Sequence, residues 1–128
     1  MVVDTSAIVA ILADEPDGEA YARAIAEADS ATMSVASYLE LMIVALSRDL
    51  AGRTEVEELV ADAAIELVAV TLEHARLAAT AFEQYGRGRH PAKLNYGDCF
   101  AYALAKQRRE PLLFKGDDFA LTDLVPAL

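Results

Sequence analysis

The chain has 128 residues, 55% of them apolar, and a formal charge of −10 at neutral pH. That length suits one compact domain with a single core, and the apolar content excludes an intrinsically disordered chain. Polar residues interrupt every apolar run before the roughly 18 positions a membrane-spanning helix requires, and the acidic balance argues against a general nucleic-acid coat protein.

In chain order, "MVV" opens as a β-rich run, followed by helical patterns over 6–13 and 17–28, with Pro16 ending the first. "ATM" reads as the second strand, and helices over 35–48 and 54–64 follow, parted by Gly52. "ELVAV" reads as a central strand, and helices over 71–85 and 97–109 come next, parted by Gly86 and Gly88. Pro111 introduces the last strand, "PLLF", and "LVPAL" forms a short tail. This alternation predicts an α/β fold: a three-layer α/β/α domain over residues 1–128 with a mainly parallel central sheet. No repeat, low-complexity tract or linker divides it. The opening "MVVDTSAIVAIL" has no basic leader and carries Asp4, so it does not read as a signal peptide, and a cytoplasmic protein is expected.

The one cysteine, Cys99, cannot form an intramolecular disulfide, and with only His74 and His90 beside it the chain is poorly equipped for zinc. Cys99 reads as a small core residue rather than a nucleophile. Charge is uneven: residues 1–83 carry 16 acids against 4 Lys/Arg, whereas 84–128 carry 5 against 7. The basic residues cluster in "YGRGRHPAKLNYG" and "KQRRE", with Lys115 shortly after. Both a local phosphate-contacting patch and ordinary solvated charges are compatible with that clustering.

Ligands of open α/β sheets gather beyond the carboxyl ends of the strands. Asp4 stands directly after "VV", and Asp117 and Asp118 follow "PLLFKG". Glu40 is the only charged residue inside "SATMSVASYLELMIVALSR", where burial is costly unless a cation pairs with it. Alternatively it shares an exposed stripe with Ser37, Val44 and Ser47. Asp98 stands near the start of "LNYGDCFAYALAK", where a capping box with Asn95 would account for it, and Asp4 can equally cap the helix near Ser6. Taken together, four carboxylates at one sheet edge repel and raise each other's pKa unless a cation neutralises them. Hard oxygen donors without clustered Cys or His select Mg²⁺ or Mn²⁺. Such an ion activates a water and stabilises charge on a phosphoryl group, so phosphodiester hydrolysis is the expected chemistry.

"VVDTSA", "SVASYLE", "LNYGDCFAYALAK" and "PLLFKGDDF", in that order over essentially the whole chain, resemble the PIN domain and, within it, the VapC-type ribonuclease toxins of bacterial type II toxin–antitoxin pairs. The resemblance implies a Mg²⁺-dependent endoribonuclease, with Mn²⁺ able to substitute, that leaves a 5′-phosphate and a 3′-hydroxyl. It implies Asp4, Glu40 and Asp98 as catalytic acids, with Asp4 and Asp98 as metal ligands and Glu40 as holder of a water or as base. Ser6 and Asn95 would orient Asp4 or the substrate. Counting from the last strand makes Asp117 the fourth acid and the first choice; counting back from Phe119 selects Asp118. Arg87, Arg89, His90 and Lys93 become the RNA-contacting candidates. A VapB-like antitoxin, an RNA substrate and a homodimer are the implied partners.

"YLELMIVALSRDL" and "TEVEELVADAA" offer faces on which an antitoxin helix would dock, with core packing as the competing use. On the helix of Asp98, the pattern sends Cys99, Phe100, Ala103 and Leu104 to the core and turns Asn95, Asp98 and Tyr102 to the cleft.

A response-regulator receiver domain shares the length, acidity and Mg²⁺ dependence, with Lys115 as counterpart of its lysine. It requires an Asp at the end of a central strand, and "ELVAV" runs into Thr71. A catalytically silent module binding RNA or protein gains nothing from acids that repel phosphate. A haloacid-type phosphatase lacks its paired acid, since Asp4 is followed by Thr5 and Ser6.

Overall fold

A computed structural model describes residues 1–128. In chain order the elements are β1 (Val2–Val3), α1 (Thr5–Leu12), α2 (Gly18–Glu27), β2 (Ala31–Ser34), α3 (Val35–Ser47), α4 (Arg53–Asp62), β3 (Ile65–Val68), α5 (Leu72–Tyr85), α6 (Tyr96–Arg108), β4 (Leu112–Leu113) and a short 3₁₀ turn, Phe119–Leu121. The strands form one sheet in the order β3-β2-β1-β4, and every pair is parallel. The expected three-layer α/β/α fold is therefore present.

The period of two along a strand sends neighbouring residues to opposite faces. Val3 and Leu113 enter a core with Ile8 of α1, Ile25 of α2, Leu41 of α3 and Val56 of α4. Val2 and Leu112, their neighbours in the same register, enter a second core with Ala81 of α5 and Leu104 of α6. Helices thus cover both faces, as a parallel sheet requires.

Three features differ from expectation. β3 lies at the sheet edge rather than its centre, and of its residues only Ile65 is buried while Glu66 and Leu67 are exposed. α4 stops at Asp62 because Ala64 adopts φ 52°, a left-handed conformation that turns the chain into β3. Tail residues Val125 and Ala127 exchange backbone hydrogen bonds of 2.9 Å with Leu112, so "LVPAL" flanks β4.

The buried His74 is accounted for by structure. Its backbone N–H donates to Thr71 Oγ1 (3.1 Å), Nδ1 accepts from the Thr71 N–H (3.3 Å), and Nε2 meets Gln107 Oε1. The capping box closes the start of α5, and the Gln107 contact fastens it to α6.

Candidate active site

Asp4 directly follows β1 and caps α1. Its Oδ2 accepts from the Ser6 N–H (3.0 Å) and the Ser6 hydroxyl (2.5 Å). The same hydroxyl accepts from the Lys115 N–H (2.9 Å), so Ser6 joins the end of β1 to the loop after β4. Beside it, Thr5 Oγ1 donates to the Ser37 carbonyl (2.9 Å) and draws α3 against α1. Asp4 is only 4% exposed. Burial pushes its carboxyl above the ordinary range, with the Glu40 charge acting in the same direction and the Ser6 bonds opposing.

Glu40 does not share an exposed stripe with Ser37, which is buried. The outward face of α3 is apolar instead, carrying Leu39, Ile43 and Leu46 at 59%, 54% and 53% exposure. The Glu40 carboxylate lies over Gly97 in the first turn of α6: a Cβ at Gly97 would stand 2.9 Å from Glu40 Cδ and 3.2 Å from Oε1, and closer still to Oε2.

Asp98 occupies the capping position expected of it. Its Oδ2 accepts from the Asn95 N–H (2.9 Å), and Asn95 Oδ1 accepts from the Asp98 N–H (2.9 Å). Despite that bond and the helix N-terminus, desolvation raises its carboxyl to about 7, with the charges of Asp4, Glu40 and Asp118 adding to the rise. Capping and clustering thus coexist at one residue.

The fourth acid arrives on the loop after β4, where Gly116 takes φ 101° and Phe119 anchors the 3₁₀ turn in the core. Asp117 and Asp118 are both exposed, but Asp118 is the one whose charge acts on Asp98.

None of the seven ion pairs includes Asp4, Glu40, Asp98 or Asp118. Lys115 is committed to Glu15 and, at 2.7 Å, to Asp17. In this conformation no three His, Cys, Asp or Glu side chains stand close enough to hold a metal ion. Asp4 and Asp98 each direct one oxygen to a capping bond. The donor set is all oxygen, buried in part and without a protein cation, which is the chemistry a hard divalent ion fits.

Arg87, Arg89 and Lys93 are exposed on the α5–α6 loop and enter none of those ion pairs. Arg89 lies 5.9 Å from the Phe82 ring centroid. His90 is half-buried, with Nδ1 accepting from the Ala92 N–H (3.1 Å) and its ring edge-on to Tyr85, which leaves only Nε2 for a ligand. Tyr102 does not serve the cleft: it is buried, and its hydroxyl donates to Asp123 (2.7 Å), holding the C-terminal segment. Cys99 is buried and its thiol is pushed up to about 11 by burial and then by Asp98, which suits a core residue and not a nucleophile. Sequence patterns alone do not single out Thr5, whereas a glycine in the first helical turn, where it weakens the helix, is a signal that marks Gly97.

A family model described as PIN domain matches residues 1–124. Ribonuclease VapC of Mycolicibacterium smegmatis is 54% identical over 125 residues, covering 97% of each chain. Ribonuclease VapC28 of Mycobacterium tuberculosis is 53% identical over 130 residues, covering all of this chain and 98% of its own. Among solved structures, Mycobacterium tuberculosis VapC20, titled a sarcin-ricin loop cleaving toxin, superposes with TM-score 0.76 at 17% identity over 97% of this chain and 95% of its own. A chain of a toxin–antitoxin complex from Klebsiella pneumoniae does so with 0.73, also at 17% identity, over 99% and 97%. These two likenesses speak to the fold.

Proposed function

This chain belongs to the VapC-type branch of the PIN domain family, and from that premise we propose that it is a metal-dependent endoribonuclease, the toxin of a toxin–antitoxin pair. The observation supporting the reading is a set of carboxylates, Asp4, Glu40, Asp98 and Asp118, coupled through their charges and lacking any cation of the protein's own.

Mg²⁺ or Mn²⁺ held there would supply an acidified water and neutralise charge on the scissile phosphate. Asp4 and Asp98 would hold the ion, the first oriented by Ser6 and the second by the Asn95 N–H. Glu40 accepts the proton of the attacking water. Asp118, whose charge acts on Asp98, is taken as the fourth carboxylate in preference to Asp117. Arg87, Arg89 and Lys93 take neighbouring RNA phosphates, and cleavage leaves a 5′-phosphate and a 3′-hydroxyl.

Purified protein incubated with total RNA tests this directly. Cleavage is expected with Mg²⁺ or Mn²⁺, with none in chelator, and end-sequencing should find 5′-phosphates at a restricted set of sites. RNA that binds but stays intact with either ion would favour the silent module, and phosphorylation by a small phosphodonor without cleavage the receiver. For the loop, Arg87→Ala with Arg89→Ala should weaken RNA binding about tenfold and reduce the salt slope by about 1–2. An unchanged slope would return both residues to ordinary surface charge.

A VapB-like antitoxin is the proposed inhibitor, and the exposed stripe Leu39, Ile43 and Leu46 has the spacing to receive an apolar helix beside Glu40. Val56 and Val60 of "TEVEELVADAA" are buried, so that segment serves the core. The apolar groove of Phe82, Tyr96 and Phe100 between α5 and α6 supports the homodimer. No helix is long and apolar enough to cross a membrane, and a cytoplasmic setting is part of the same proposal.

A further inference from the structure

We propose that Gly97 is a positioning residue that acts through Glu40: the absence of its Cβ opens the notch in which the Glu40 carboxylate rests against α6. The inference rests on the reading of Glu40 as part of the hydrolytic site. Its basis is geometric. A Cβ at position 97 would stand 2.9 Å from Glu40 Cδ and 3.2 Å from Oε1, too close for the carboxylate to remain where it is.

Backbone strain does not explain the glycine. Only Gly88 and Gly116 have positive φ among the glycines, so Gly97 has a conformation open to any residue, and it sits in the first turn of α6. Glycine weakens a helix there, and alanine would strengthen it. The notch faces the far end of one flexible side chain, so a Cβ would be accommodated by swinging Glu40 away rather than by moving backbone. That motion withdraws the carboxylate from the start of α6, where its charge couples to Asp98. Helix stability is given up for the position of one acid.

The substitution therefore moves stability and activity in opposite directions. Gly97→Ala should melt at the wild-type temperature or about 2–5 °C above it while RNA cleavage falls about 10- to 100-fold in kcat/KM. Gly97→Ser, which adds the same Cβ, should behave alike. In the Glu40→Gln background, Gly97→Ala should cost nothing further, because the group it displaces has already lost its function. Affinity for Mn²⁺, titrated into metal-free protein, should follow the same pattern: lowered by Gly97→Ala and not lowered again in the double variant.

Full activity of Gly97→Ala beside an impaired Glu40→Gln would overturn the inference alone. So would losses that multiply in the double variant, or a fall in melting temperature that tracks the loss of activity. Full activity of Glu40→Gln would overturn the role of Glu40 itself, and the inference with it.

Discussion

Asp98→Asn should lower RNA cleavage by at least about 10³-fold and leave the metal-free protein more stable than wild type at pH 7.5. Both halves follow from one geometry. The carboxylate contributes charge to a site whose other members are Asp4, Glu40 and Asp118, and an amide cannot replace that charge toward a divalent ion. The amide can still accept from the Asn95 N–H through its oxygen, so the capping box of α6 survives and the helix should not unravel. Cleavage rates and urea unfolding of the same preparations check the two halves. An inactive variant that is also unfolded would show instead that Asp98 is structural, and normal cleavage would remove it from the site.

The second large effect is a dependence of metal-free stability on pH with an inverted sign. Asp98 holds its proton to about 7 in the folded chain, against an ordinary value of 3.8. Between those limits the folded state binds more protons than the unfolded one, so stability falls as pH rises from about 4 to 7. Asp4 is raised as well, and contributes in the same direction. After allowance for solvent screening, the Asp98 share is about 1–3 kcal/mol. It should appear as the difference between wild type and Asp98→Asn in urea midpoints taken across that range, near zero at pH 4 and widest above pH 7. A constant difference would mean that the carboxyl titrates normally.

Much of this was legible in the sequence because it depends on local chemistry. Asp4 after a short apolar run, Asn95 three residues before Asp98, and the alternation of β-rich and helical runs are all read within a few residues, and the structure places them accordingly. What was not legible depends on partners distant in the chain. Where Glu40 points depends on α6, more than fifty residues away, so helical periodicity left its two readings open; in the structure the outward face of α3 is apolar and Ser37 is buried. Strand order is likewise tertiary, so "ELVAV" read as central although β3 has a neighbour on one side only. Tyr102 shares a helical face with Asp98 but is claimed by Asp123 from the C-terminal segment. Counting residues from β4 does not separate Asp117 from Asp118, because Gly116 at φ 101° turns the chain just before them.

Asp4, Glu40, Asp98 and Asp118 are proposed to form a site completed by a divalent cation. Thermal melting of chelator-treated protein at pH 7.5, with Mg²⁺ or Mn²⁺ added back, is the decisive experiment. Ligand at about 100 times its dissociation constant should add about 2.7 kcal/mol to wild type, raising its melting temperature by several degrees, and should add almost nothing to Asp98→Asn. Equal shifts in the two proteins, or none in either, would contradict it.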